Sequence, residues 1–266
     1  NQLAEDPEAA AERLKGEKRD LSIVMTDLRG FTTLGESFGA DVQGLTNVMN
    51  RYMDALSKPV LKNGGCIIKF IGDSSLHVHN APVDDKEHAV TAVTTALEMI
   101  KAIEEFNKEL QAEGRPPVGM GAGVNTGPTL IGNIGANDRY GYDVLGDSVS
   151  TAARLEGQTK SYGVLLIIGP ETAEQIKHKY DVVELDCIAV KGKTIGLKIY
   201  TIAPSNELHD EWLNLYYDGN WKKALTMIPQ LKNVTPELED YYEKMEERLK
   251  EGKPYNWDGV YHATSK

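Results

Sequence analysis

An α+β fold, with a mainly antiparallel sheet and flanking helices, is predicted by three features of the sequence. Short runs rich in β-branched residues, bounded by Gly, Asn, Asp and Pro, recur between Leu21 and Ile202. Two long amphipathic stretches, 41–62 and 86–110, interrupt them with apolar residues at three- and four-residue steps. The first part reads β-α-α-β-β-α-β. That is the ferredoxin-like, split βαβ order, which lays helices on one face of the sheet.

The elements follow in chain order. Residues 1–19 are polar and alanine-rich, and read as a partly helical lead-in, the end of a connector. Leu21–Thr26 (LSIVMT) is the first strand, ending at Asp27; after Arg29-Gly30-Phe31 the pattern turns helical. In the helix 41–62, Val42, Leu45, Val48, Met49, Tyr52, Met53, Leu56 and Val60 form the apolar side, and Asn63-Gly64-Gly65 stops it. Two apolar runs flank Gly72-Asp73 as a β-hairpin, and Asn80-Ala81-Pro82 ends its second strand. After the helix 86–110, residues 118–127 (VGMGAGVNTG) alternate around glycines, as in a strand under close backbone approach. Residues 129–134 are expected to pair with that strand across Thr126-Gly127-Pro128. Strands at Tyr140–Leu145, Val164–Ile168, Asp181–Asp186 and Leu197–Ile202 follow, with helices at Ser148–Ser161 and Pro170–His178. Beyond 204 the strand pattern stops. Residues 205–266 read as a helical extension and tail, with Trp212, Trp221 and Tyr241 in a small core packed on the main domain. The pair of helices around Asp218-Gly219-Asn220 resembles one tetratricopeptide-type hairpin, in a single copy.

Composition narrows the function classes. The chain has 266 residues, 41% hydrophobic and 26% charged, the balance of a globular protein. With 40 acidic and 29 basic residues the net charge is −11, which disfavours nucleic acid and anionic membrane as partners. A polyanionic substrate would need a local device, a metal ion or a few placed cations. No apolar stretch is long enough to span a bilayer. Two cysteines, Cys66 and Cys187, cannot build a disulfide framework and fit a reducing compartment. The expected location is the cytoplasm, as a free segment or as the cytosolic part of a membrane-attached protein.

Asp27 and Asp73 are the leading pair of chemical groups. One ends a strand and the other tips a hairpin, and in a split βαβ sheet both reach one edge. Two carboxylates with room for water and phosphate suit Mg²⁺ or Mn²⁺. The backbone N–H groups of Leu28, Arg29, Gly30, Phe31 and Thr32 open a helix, a ready anion site. A helix cap at Asp27 and a turn role at Asp73 are the alternatives for each residue alone.

Four separated motifs, TDLRGFTTL, IIKFIGDSSLHVHNAP, YGYDVLGDSVSTAARLE and VKGK, stand in this order. Together they resemble the class III nucleotide cyclases, over roughly residues 20–202. The resemblance implies a catalytic domain at 20–204 that converts ATP to 3′,5′-cyclic AMP and pyrophosphate in signal transduction. It implies that Asp27 and Asp73 hold two divalent ions per site, that Lys69 and Asp143 read the base, and that Arg154 stabilises charge on the reacting phosphate. Lys191 matches the lysine that holds the terminal phosphates. It also implies a homodimer with two shared sites, the aspartates from one chain and the base-reading and arginine residues from the other. Lysine and aspartate at the base favour ATP; guanylate-forming relatives usually carry glutamate and cysteine there. Ser150 departs from the family pattern, which has asparagine at this place, and puts turnover in question. The rival readings are a guanylate cyclase and a silent nucleotide-binding dimerisation module.

Other motifs read as structural. His77 and His79 share one face of a strand with no third ligand in view. Asp147 caps a helix, and the GxG repeats lie in a strand rather than at a strand-to-helix turn.

Overall fold

The computed structural model describes residues 15–136, 139–189 and 196–262. Most of the lead-in, the VKGK loop with Lys191, and the last four residues lie outside the described residues. Strand β1 (Glu17–Arg29) is longer than its apolar run, because β4 (Gly119–Ala136) pairs with it antiparallel along its whole length.

The expected hairpin between 118–127 and 129–134 is not formed: both runs belong to the single strand β4. Its Thr126-Gly127-Pro128 has turn chemistry, but β1 pairs straight through it, with Ser22 opposite Thr126 and Asp20 opposite Pro128. The buried Thr126 hydroxyl bonds those of Ser22 (2.7 Å) and Thr172 (2.9 Å), which holds the chain extended. On its other edge β4 changes partner here. Ala122–Val124 pairs in parallel with β6 (Leu166–Ile168), and Leu130–Ala136 pairs antiparallel with β5 (Arg139–Leu145). Exposed Pro128 stands between the two stretches, where a missing N–H is tolerated.

A short helix α1 (Phe31–Glu36) follows β1, and α2 (Val42–Lys62) starts at Asp41, whose carboxylate accepts from the Gly44 N–H at 2.9 Å. It stops as expected: Gly64 takes φ +71° and Gly65 N–H bonds Val60 C=O at 2.8 Å. Strands β2 (Cys66–Ile71) and β3 (Ser74–His79) form the expected hairpin, and α3 (His88–Ala112) follows.

The sheet among the described residues runs β2-β3-β1-β4-β6-β8-β7-β9, with β5 on β4; only β4–β6 and β7–β9 are parallel. Here β7 is Val182–Ala189, β8 Leu197–Ile202 and β9 Tyr261–His262. Alternation along β1 sets the layers. Leu28 packs with the apolar sides of α2 and α3, and Val24 with α3. Ile23 points the other way, toward α4 (Asp147–Gln158) through Ala152. The two long helices therefore share one face as expected, while α4 covers the opposite one. Helix α5 (Pro170–Ile176) joins the α3 side.

Helices α6 (Glu207–Tyr217), α7 (Trp221–Val234) and α8 (Glu239–Glu251) close the chain. Their Trp212, Tyr216, Trp221, Tyr241 and Tyr242 share one core with Tyr162, Val183, Leu185 and Ile188. The small aromatic core is thus continuous with the sheet. Among the described residues no helix is long and apolar enough to cross a membrane.

Candidate active site

The pairing of Thr26 with Ser75 brings the end of β1 alongside the start of β3. Ile71 pairs with Ser74, so Gly72 and Asp73 form a two-residue turn, and Gly72 supplies the positive φ (+64°) such a turn requires. The Ser74 hydroxyl donates to Asp27 Oδ1, and the buried Tyr52 hydroxyl donates to the Asp73 carbonyl at 3.0 Å. Burial, then the negative charges of Asp73 and Asp27, push the Tyr52 phenol well above its ordinary range. Both carboxylates thus act on one point of the molecule. Among the described residues no three metal-ligating side chains cluster. Two carboxylates alone suit a hard cation that keeps waters and takes its remaining oxygens from phosphate, as Mg²⁺ does.

Leu28 and Arg29 remain in the β1–β4 ladder, opposite Met120 and Gly119. Gly30 then turns the chain with φ +84°, and its carbonyl accepts from Leu34 N–H at 3.0 Å. No side chain caps the start of α1, which leaves the N–H groups at Phe31 and Thr32 open.

Lys69 and Asp143 meet across β2 and β5. A bulge between Ile67 and Lys69 re-aims the lysine, and its Nζ lies 2.5 Å from Asp143 Oδ2. Asp143 Oδ1 accepts from the Val144 N–H at 2.8 Å, which fixes the carboxylate.

Ser150 and Arg154 lie one turn apart on α4 and so share a side of the helix. Ser150 is exposed. Arg154 is half-buried, and its Nη1 is buried with no hydrogen-bond partner among the described residues. An unpartnered guanidinium nitrogen is costly unless an anion meets it. Lys191 lies outside the described residues.

The structure therefore gathers the expected residues into three groups: Asp27 with Asp73, Lys69 with Asp143, and Ser150 with Arg154. No hydrogen bond or ion pair among the described residues joins one group to another.

One acidic residue near the site went unnoticed in the sequence. Glu156, in the last turn of α4, lies near Asp27 and Arg29. Burial first, then Asp27, pushes its carboxyl up to about 7, against the pull of Arg29. Arg29 is itself drawn below its ordinary range by burial. Its side chain turns inward, where Nη2 donates to the Thr159 hydroxyl. The visible signal was the glycine alternation in β4, which does mark a close backbone approach. A Cβ at Gly123 would stand 2.3 Å from the Ala152 carbonyl oxygen and 2.3 Å from the Glu156 nitrogen. Helix α4 thus lies directly on the strand.

The family model for the adenylate and guanylate cyclase catalytic domain matches residues 15–204. The chain is 33% identical to adenylate cyclase 1 of Rhizobium meliloti over 185 residues, 70% of this chain and 28% of that protein. It is 28% identical to an adenylate cyclase of Anabaena cylindrica over 191 residues, 69% of this chain and 37% of that one. The chain thus spans about a third of the length of these relatives. Among solved structures, the adenylyl cyclase CyaB of P. aeruginosa aligns with TM-score 0.66 and 32% identity, over 73% of this chain and 98% of that one. The guanylyl cyclase Cya2 aligns with TM-score 0.64 and 31% identity, over 72% and 95%. A strand aspartate beside a hairpin aspartate, a helix carrying an arginine with one nitrogen unpartnered among the described residues, and this match over most of its length together place the chain in the adenylate and guanylate cyclase catalytic domain family.

Proposed function

We propose that the chain converts ATP to 3′,5′-cyclic AMP and pyrophosphate, in a homodimer with two shared active sites. The observation that carries this reading is the Lys69–Asp143 pair, a donor beside an acceptor held 2.5 Å apart. Adenine offers a ring nitrogen that accepts and an amino group that donates. Guanine offers its carbonyl oxygen and ring N–H instead, and the likeness to a guanylyl cyclase keeps GTP as the second substrate to test.

In the reaction the ribose 3′-oxygen bonds to the α-phosphorus, the bond to the β-phosphate oxygen breaks, pyrophosphate leaves, and the hydroxyl proton passes to solvent. Asp27 and Asp73 would hold the divalent ions, Mg²⁺ or Mn²⁺, which supply acidification of the 3′-hydroxyl and charge neutralisation of the triphosphate. The N–H groups from Gly30 to Thr32 face phosphate oxygens. Arg154 turns its free nitrogen to the charge that develops at the α-phosphate, and Ser150 orients the ribose. Lys191 meets the terminal phosphates, on the strength of the motif alone.

The shared-site dimer accounts for the three separate groups within one chain. It also gives a use to Phe70, Ile71, Leu130 and Leu145, apolar side chains exposed on β2, β4 and β5 around the Lys69–Asp143 pair.

The test incubates the purified chain with ATP or GTP, in Mg²⁺ and separately in Mn²⁺, at several protein concentrations, with Asp27→Ala as control. Cyclic AMP that rises faster than linearly with protein and is absent in the control supports the reading. Bound nucleotide with no cyclic product at any concentration leaves the silent module in its place.

A further inference from the structure

Three side chains from two segments, the end of β1 and the end of α4, converge over Gly121 of β4. A Cβ there would stand 2.5 Å from Thr159 Oγ1, 2.6 Å from Glu156 Oε1 and 2.9 Å from Arg29 Nη2. The three polar atoms occupy the hollow that only a glycine leaves. Two of them are hydrogen-bonded to each other, Arg29 donating to the Thr159 hydroxyl, and that hydroxyl donates in turn to the main-chain carbonyl of Glu156 at 2.6 Å. The Glu156 carboxyl joins them through its charge beside the Arg29 guanidinium. Thr159 is 1% exposed, so these bonds compete with little water.

The place of this knot gives it meaning. Arg29 follows Asp27 by two residues, on the same side of β1. Glu156 follows Arg154 by two residues on α4, and Thr159 directly ends that helix. The knot therefore fastens the strand end that carries one metal-site aspartate to the helix that carries Ser150 and Arg154. Among the described residues no other side-chain hydrogen bond joins β1 to the C-terminal end of α4. The Arg29 side chain is thus engaged with the end of α4.

We propose that Arg29, Glu156 and Thr159 form a positioning unit that sets α4 against the end of β1, and that it couples the two active sites of the dimer. The second part rests on the shared-site reading above. Asp27 and Arg154 of one chain then serve different sites, so a shift of α4 against β1 disturbs both at once. None of the three residues need touch substrate through its side chain. Misplacement of a catalytic group by about 1 Å costs roughly a hundredfold in rate, so a slack knot is felt as lost turnover.

The test has one arm that needs no activity. Amide hydrogen exchange is measured on the full chain for wild type, Thr159→Val, Glu156→Ala and Glu156→Gln. The expected result is a joint loss of protection at 27–32 and 147–158 in Thr159→Val and Glu156→Ala. Glu156→Gln, which keeps shape and a polar oxygen, stays close to wild type. Loss confined to α4, or none at all, overturns the positioning unit. Global unfolding of Glu156→Ala would raise exchange everywhere, and Thr159→Val with Glu156→Gln then decide.

In the kinetic arm, kcat falls about tenfold in Thr159→Val and in Glu156→Ala with KM for nucleotide within about threefold, and Glu156→Gln stays close to wild type. Coupling is read in hybrid dimers of an Asp27→Ala chain with an Arg154→Ala chain, which contain one intact site. Glu156→Ala lowers the hybrid rate whichever chain carries it. An effect from one chain only overturns the coupling. A wild-type chain with no cyclic product would instead defeat the proposed function, and leaves the exchange result standing.

Discussion

His77 and His79 replace apolar side chains in the middle of the molecule. Both are essentially unexposed, their rings meet edge to face at 5.6 Å, and none of their four ring nitrogens finds a partner among the described residues. Burial pushes His77 well below the usual imidazole range, with His79 adding to it. Burial also pushes His79 down to about 4, with Asp85 opposing and His88 assisting. Unfolded, the same rings take up protons near pH 6.5. Between pH 6.5 and 4 the unfolded chain binds more protons than the folded one, so this contribution to stability is complete above pH 6.5 and is lost as pH falls toward 4. For His79 the loss between pH 6.5 and 5 is about 2 kcal/mol. His79→Phe keeps an aromatic ring and removes the titration, so its urea midpoint should fall less than that of wild type between pH 7.5 and 5. Equal slopes for the two proteins would show that the ring is not held neutral. At this scale the sequence was readable where local chemistry places a residue, as with Gly72-Asp73 at the hairpin tip. Glu156 was not, because its surroundings come from afar: the Arg29–Thr159 bond beside it joins residues 130 positions apart.

Hairpin and helices follow from local pattern, and β4 does not. The Gly72-Asp73 turn and the stop at Asn63-Gly64-Gly65 were legible because turn chemistry agreed with the hydrophobic period on both sides. Thr126-Gly127-Pro128 has the same chemistry, but its conformation is decided by β1, a partner far away in sequence. The end of α4 was overestimated for a related reason. Thr159 is caught by Arg29 and by the Glu156 carbonyl, and the helix stops at Gln158. The contact between β4 and α4 predicts opposite outcomes for one chemical change at two glycines. In Gly123→Ala the new methyl would meet two backbone atoms of α4 at 2.3 Å, and no rotamer relieves that. The helix must move off the strand, at a cost of about 1–3 kcal/mol. Gly157, inside α4, has nothing within 4 Å of the place a Cβ would take. Gly157→Ala therefore stabilises by about 0.5–1 kcal/mol through helix propensity. Thermal midpoints should shift down in the first and up in the second, and a downward shift in both would mean that α4 is not seated as described.

The whole molecule is held together at its far end by a buried charge pair. Asp186 of β7 is 0% exposed and its Oδ2 lies 2.6 Å from Arg248 Nη1 of α8. The Tyr162 and Tyr216 hydroxyls donate to the same oxygen, at 2.5 and 3.3 Å, and the Arg248 guanidinium stacks over the Tyr261 ring at 3.6 Å. Helices that sequence separates from the sheet are in this way bound into its core, through residues on both sides of the point where the family match ends. Such a pair is a poor source of net stability but a strong liability when broken. Arg248→Met leaves Asp186 buried without its cation, at a cost of about 3–5 kcal/mol, and adding Asp186→Asn should recover part of that. The three tryptophans, Trp212, Trp221 and Trp257, all lie in the C-terminal part, so their fluorescence reports the helical extension while far-ultraviolet circular dichroism reports the whole chain. In wild type the two urea transitions should coincide, because one continuous core unfolds as one unit. In Arg248→Met the fluorescence transition should move to lower urea, ahead of the dichroism. Two separate transitions already in wild type would mean that α6, α7 and α8 fold on their own and that the pair merely docks them.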